Sequence, residues 1–179
     1  MEHYKGQDRI EGLETLVPVG DARRYADDYF PTRFDFFSYG RVESVARPCE
    51  LRELIASPFL LTFRVTGEET GLCVVAFDSR PLKEDDASMY TEIANILVGK
   101  LVNALAEMTG GGLQLTPPEQ IALGERKHRY LIATFQAARP GAVPAKRYEY
   151  ITEAASRHTL RLAFLPSTLG PGAAAGGTT

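Results

Sequence analysis

The clearest pattern of apolar and polar positions in the chain falls between residues 84 and 109. Apolar side chains recur there at the three- and four-residue spacing of an α-helix, at Ala94, Leu97, Leu101, Leu105 and Met108. Asp85 and Asp86 at the start suit the positive end of the helix dipole, and three glycines after Thr109 end the helix. The pattern predicts one helix over residues 84–109 that packs its apolar face on a sheet.

Short runs of β-branched, aromatic and alternating apolar residues predict the strands around this helix. Residues 59–66 and 72–77 flank a turn bounded by glycines and predict a hairpin. Residues 113–118 form a short extended piece, which two prolines close. Three further strand-like runs follow at 130–136, 147–152 and 158–164. This order of elements predicts an α+β fold, in which long helices pack on one face of a largely antiparallel sheet.

The two ends of the chain differ from this central part. Residues 1–20 are polar without a clear period and predict an arm, whereas residues 21–30 predict a helix. The aromatic segment 34–39 does not favour one type of structure. The Gly- and Ala-rich segment 168–179 has too few apolar side chains to offset the entropy of ordering, and it predicts a disordered tail. A single domain is therefore expected over residues 21–167.

The composition fits an ordinary globular protein and disfavours several classes of function. Of 179 residues, 20 are basic and 23 acidic, which gives a net charge of −3. Because the basic residues are scattered, nucleic-acid binding is disfavoured. No apolar stretch reaches the ~20 residues that span a membrane, and the first residues lack an apolar signal core, so a cytoplasmic location is expected. Cys49 and Cys73 lack metal-ligand spacing and are expected to be reduced thiols.

A polar row crosses the predicted helix on a different face from its apolar stripe. Ser88, Glu92, Asn95 and Gly99 follow one another at intervals of three or four residues, which places them along one line of the helix surface. Such a row is normally solvated surface. A glycine inside a helix costs about 1 kcal/mol relative to alanine. Close packing within the chain is the first explanation for Gly99, and approach of a partner's backbone is the second.

The same residues resemble the signature of the CheC/CheX/FliY phosphatases. That family carries Asp or Ser, then Glu and Asn one turn apart, and a Pro beyond the helix. Ser88, Glu92, Asn95 and Pro118 match these positions in order, and Gly99 stands where the family often has a small residue. The order of strands and helix also agrees over most of the domain, so the resemblance implies a CheX-like fold.

The chain carries one copy of this motif. Its only asparagines are Asn95 and Asn103, and Lys100 stands three residues before Asn103, where a second motif would need Glu. CheC-type members generally carry two copies and CheX-type members carry one. The chain therefore resembles CheX.

The resemblance implies a phosphatase that hydrolyses the aspartyl phosphate of a CheY-like response regulator. Asn95 would position the attacking water, and Glu92 would contact the active-site lysine of the receiver. Mg²⁺ is expected on the response regulator, and the chain is expected to hold no metal or cofactor of its own. The resemblance also implies a homodimer. The alternative is a non-catalytic receiver-binding module, or an adaptor similar to the flagellar-switch proteins that lack the Glu-x-x-Asn pair.

Overall fold

The computed structural model describes residues 29–36, 40–47, 49–68, 70–137 and 143–166. The predicted arm at 1–20, the predicted helix as far as residue 28 and the predicted tail at 168–179 lie outside these residues, so they stay predictions. Within the described residues the chain forms eight strands and three helices.

The strands form one antiparallel sheet. They are β1 (Arg33–Phe36), β2 (Gly40–Ser44), β3 (Phe59–Gly67), β4 (Gly71–Phe77), β5 (Leu113–Leu115), β6 (Glu119–Ile121), β7 (Ala145–Thr152) and β8 (Arg157–Pro166). Their order is β1-β2-β7-β8-β4-β3, and β5 and β6 both pair with β3 at its far side. The predicted hairpin is the β3–β4 pair, in which Phe59 lies opposite Phe77. The predicted strands at 147–152 and 158–164 are also confirmed, as parts of β7 and β8.

The central strands are buried on both faces, which explains their unbroken apolar sequences. Every residue of β4 is buried. Alternate residues of β3 separate into two clusters: Phe63 lies in the core on one side of the sheet, and Leu60 lies in the core on the other side. Helices must therefore cover both faces.

The long helix α2 (Glu84–Thr109) covers one face, as the sequence predicts. Its buried residues are Tyr90, Ile93, Ala94, Leu97, Val98, Leu101, Val102 and Leu105. They pack with side chains of β3, β4, β7 and β8 in one apolar cluster. Gly110 then adopts φ +69°, and its N–H donates to the carbonyl of Ala106 at 3.0 Å. The glycine end of the helix is thereby confirmed, because this left-handed conformation favours glycine.

The opposite face is covered by two shorter helices, α1 (Leu51–Ile55) and α3 (Arg126–Ala137). Leu54 of α1 and Leu131 and Phe135 of α3 pack there against β3, β4 and β8. The predicted strand at 130–136 is therefore wrong, since this segment lies inside α3. Its β-branched and aromatic residues favour a strand locally, but burial at Leu131, Thr134 and Phe135 follows the helical spacing.

The fold class is α+β, as predicted, with a long helix on one face of an antiparallel sheet. In the described residues, no helix is both long and apolar enough to cross a membrane. The two cysteines form no disulfide: Cys49 is half-buried and Cys73 is buried. Burial raises the pKa of Cys49 to about 11, in agreement with a reduced, protonated thiol.

Candidate functional site

The polar row lies on the outer surface of α2, and the packing of Tyr90 sets its direction. The Tyr90 ring stacks on Phe77 of β4 at a centroid distance of 4.3 Å and meets the edge of Phe59 at 5.7 Å. Its hydroxyl shares a 2.6 Å hydrogen bond with Ser79 Oγ. Since residues two positions apart lie on opposite sides of a helix, an inward Tyr90 turns Glu92 toward solvent. The inward stripe predicted from Ala94 onward thus begins one turn earlier, at Tyr90, which the same spacing could have identified.

A second contact holds the adjoining side of the helix. The hydroxyl of Tyr150 on β7 donates a 3.2 Å hydrogen bond to Met89 Sδ. Burial, and then the neighbouring Tyr90, raise the pKa of the Tyr150 phenol, so the hydroxyl keeps the proton that it donates. With Met89 and Tyr90 both held, the helix has little freedom to rotate at the start of the polar row.

The first turn of α2 is fixed by its own carboxylates. Asp86 Oδ2 accepts 3.2 Å hydrogen bonds from the backbone N–H groups of Leu82 and Lys83. Glu84 and Asp85 are exposed in the same turn, where negative charge interacts favourably with the helix dipole. The start of the helix is therefore stabilised independently of the row that follows.

The structure brings four of the five predicted site residues together on this surface. Ser88, Glu92 and Asn95 are exposed, Gly99 is half-buried, and α2 runs unbroken through all four. With a rise of ~1.5 Å per residue, the row extends about 16 Å from Ser88 to Gly99. Within the described part of the chain, Glu92 and Asn95 form no side-chain hydrogen bond or ion pair. Their polar groups are therefore available to a partner.

Gly99 is not explained by packing within the described part of the chain. Apart from its chain neighbours and the nearby backbone of its own helix, a Cβ placed on it would meet no described atom within 4 Å. Close packing within the described part of the chain therefore does not explain this glycine. No contact there offsets the cost of Gly99 to the stability of the helix. Gly99 and Asn95 together cost this helix up to ~2 kcal/mol relative to alanine.

The Lys100 side chain beside the row extends toward β1. Its Nζ lies 5.9 Å from the centroid of the Phe34 ring, within the range of a cation–π interaction. Phe34 is itself buried against the cluster under α2. This contact draws the lysine charge to the sheet, and no sequence pattern indicates it because the two residues are far apart in the chain.

Pro118, the fifth predicted residue, belongs to the edge of the sheet rather than to the helix row. It is half-buried in the link between β5 and β6. The preceding Thr116 pairs with Arg64 of β3, donating its N–H at 3.0 Å and accepting at its Oγ1 at 2.9 Å. A proline lacks the N–H that a continued strand would need, so its role here is to end β5 pairing before β6 begins.

The chemistry available on the row is that of one amide, one carboxylate and one hydroxyl. An amide can donate and accept at once without ionising, and a carboxylate can bind a cationic side chain. Among the described residues, no group of three or more His, Cys, Asp and Glu side chains could hold a metal ion. The arrangement is suited to orienting a water and gripping a positive charge on another molecule.

One comparison with known protein families matches the segment that contains most of this helix. Residues 87–121 match the model of the CheC-like family, and this range holds all five predicted site residues. The chain is also similar to the CheX–CheY–BeF3–Mg²⁺ complex of Borrelia burgdorferi, with 15% identity, a TM-score of 0.37 and coverage of 87% of this chain and 99% of that chain. No curated protein matches the chain.

Two further solved structures show similarity at the same level of identity. Thermotoga maritima FliY is 15% identical with a TM-score of 0.41, over 85% of this chain and 86% of that chain. Chemotaxis protein CheX from Vibrio vulnificus is 15% identical with a TM-score of 0.36, over 60% of this chain and 76% of that chain.

Fold and site together define an α+β domain whose long helix presents an exposed Glu-x-x-Asn pair. The family match covers that pair and the proline beyond it, and it confirms the resemblance seen in the sequence. Over residues 87–121, the chain is similar to the CheC-like family.

Proposed function

We propose that the protein hydrolyses the aspartyl phosphate of a CheY-like response regulator. The observation that carries the proposal is the exposure of Glu92 and Asn95 on one face of an unbroken α2, inside the segment that matches the CheC-like family. The proposed substrate implies a cytoplasmic location.

Asn95 supplies the group that such a reaction lacks. A phosphorylated receiver domain carries its own Mg²⁺ and lysine beside the acyl phosphate, so the substrate protein neutralises most of the charge. The remaining requirement is a water held in line with the phosphorus. The Asn95 amide can accept from that water and donate to a phosphoryl oxygen, and its position on a core-packed helix limits its motion.

Glu92 has a different task, one helical turn before Asn95. Its exposed carboxylate binds the receiver's lysine and so fixes the register of the helix on the receiver. Proton transfer is not required of it. Ser88 extends the same row toward the helix start, and Gly99 extends it in the other direction.

The direct test mixes the purified protein with candidate receivers that bear the acyl phosphate and follows phosphate release. We expect one receiver to lose phosphate faster with the protein than alone. A receiver that binds the protein without faster phosphate release would favour the adaptor function instead.

Replacing Glu92 with alanine is expected to weaken the receiver complex and also slow turnover. Loss of a charge-assisted contact across an interface should cost ~1–3 kcal/mol, roughly a five- to 150-fold change. Because Glu92 is exposed, the melting temperature should hardly change. Titration calorimetry with a beryllofluoride-activated receiver measures the first effect.

The matched control for that experiment is Glu125→Ala. Glu125 is an exposed carboxylate in the turn before α3, so the variant makes the same change in net charge away from α2. Equal losses of affinity in the two variants would show that the effect arises from overall charge, and the proposed lysine contact would be wrong.

The proposal includes a homodimer. Strand β1 has a neighbour on one side only among the described strands, and an exposed strand edge is a template for pairing with a second copy. Light scattering at micromolar concentration should give twice the chain mass of 19.7 kDa. A monomer mass under those conditions would contradict the dimer and leave the phosphatase proposal untouched.

A further inference from the structure

A fourth exposed residue continues the polar row beyond Gly99. Asn103 lies one turn after Gly99, as Asn95 lies one turn before it, and both amides are exposed. These are the only two asparagines of the chain. Asparagine and glycine both disfavour a helix relative to alanine. Asn95, Gly99 and Asn103 nevertheless occur on one line of a helix that is otherwise rich in Ala, Leu and Glu.

No contact within the described part of the chain accounts for this row. Asn103 forms no side-chain hydrogen bond there, and the position of a Cβ on Gly99 is open to a distance of 4 Å. The neighbouring Lys100 places its ammonium group 5.9 Å from the Phe34 ring centre, so this charge is drawn toward β1. Among the described residues, nothing covers this part of the row, where Gly99 lies between the two amides of Asn95 and Asn103.

We propose that Asn103 and Gly99 form a notch that receives an exposed stretch of receiver backbone and so positions the receiver over Asn95. The inference rests on the proposed function, because it assigns the same partner to the same helix. Asn103 is a positioning residue in this scheme and does not touch the phosphoryl group.

The chemistry of the notch favours a peptide backbone over a charged side chain. One amide can accept from a peptide N–H and donate to a peptide carbonyl at the same time. A glycine removes the Cβ that would hold a second backbone away from the helix, which is its usual role at close approaches. The row is also continuous with Glu92 and Asn95, so one partner surface can lie along all of it.

The test compares Asn103→Ala and Gly99→Ala with the parent protein. The probe is the receiver whose phosphate loss the parent accelerates most or, if none responds, the receiver that it binds most tightly. It is loaded with beryllofluoride and Mg²⁺ for binding and with acyl phosphate for kinetics. Each variant should bind about tenfold more weakly, as expected for one lost hydrogen bond or a blocked approach. KM should rise by a similar factor with a much smaller change in kcat.

Two further measurements separate this role from a structural one. Both substitutions raise helix propensity in open space, so the melting temperatures should equal or exceed that of the parent. Asn103→Gln, which keeps an amide, should recover part of the affinity. Gln136→Ala on α3 is the matched control, because it removes an exposed helical amide from the other face of the sheet.

Each outcome bears on the proposal. Binding by both alanine variants within twofold of the parent overturns the notch, even if the parent is an active phosphatase. Weaker binding by both supports the notch, even if the parent releases no phosphate and the proposed function fails. A change in dimer mass with unchanged receiver binding would make a second copy of the chain the occupant and would also overturn it. A parent that binds no receiver overturns both proposals.

Discussion

Replacing Asn95 with alanine is expected to lower the rate of receiver dephosphorylation by roughly ten- to a thousandfold. That range corresponds to ~1.4–4 kcal/mol of transition-state stabilisation, the usual size for a group that orients the attacking water. The amide would be lost from an exposed position on α2 while the buried face of the helix stays intact. Folding and receiver binding should therefore change little.

Comparison with Glu92→Ala distinguishes a loss of catalysis from a loss of receiver binding. Asn95→Ala should reduce kcat with a small effect on affinity, whereas Glu92→Ala should reduce both. Single-turnover measurements at saturating protein separate the two effects, since they report the rate within the complex. Gln136→Ala serves again as the exposed-amide control. If Asn95→Ala dephosphorylates the receiver as fast as the parent does, the water-positioning mechanism is wrong and α2 is at most a docking surface.

The regular spacing of apolar residues explains why the first and last residues of α2 could be predicted. Its apolar spacing persists over 26 residues, and glycines follow it directly, so period and stop signal agree. The short strands do not have two agreeing signals of this kind in the sequence. Strand β2 (Gly40–Ser44) includes two charged residues and exists because it pairs between β1 and β7, a long-range condition that local patterns do not contain.

The sequence of the segment that forms α3 wrongly predicts a strand. Tyr130 to Gln136 has residues typical of strands, and its length suits either element. The structure resolves the choice through burial: Leu131 and Phe135 contact the second core, and His128 Nε2 lies 3.3 Å from the carbonyl of Ile55 on α1. Tertiary contacts of this kind override local propensity.

The sequence likewise predicts only part of the candidate site. The line through Ser88, Glu92, Asn95 and Gly99 follows from spacing alone, because a helix converts sequence distance directly into surface position. The open space over Gly99 and the contact between Lys100 and Phe34 depend on what the rest of the chain places nearby. The spacing therefore located the row, and only the structure showed that no described segment covers Gly99.

Glu53→Ala is expected to lower the free energy of unfolding by about 2–4 kcal/mol. Glu53 of α1 pairs with two buried arginines: Arg147, through a short hydrogen bond, and Arg161, whose Nε lies 3.5 Å from the Glu53 carboxylate. The arginines are only 8% and 6% exposed, respectively. Removing one partner of a buried ion pair costs ~3–5 kcal/mol, and the partial exposure of Glu53 lowers that figure. Arg161 keeps Asp78, so most of the loss falls on Arg147.

Chemical denaturation of the parent and the variant measures this loss, and its pH dependence tests the cause. The hydrogen bond from Arg147 lowers the pKa of the Glu53 carboxyl in the folded protein. A carboxyl with a lowered pKa stabilises fully above its ordinary pKa, and this contribution disappears as pH falls through the lowered value. The difference in free energy of unfolding between the parent and Glu53→Ala should thus be constant from pH 6 to 8 and shrink in acid.

The control variant Glu149→Ala, which breaks an exposed pair with Arg157, should cost less than ~1 kcal/mol. Similar losses in the two variants would show that burial of the arginines does not govern the stability of this face.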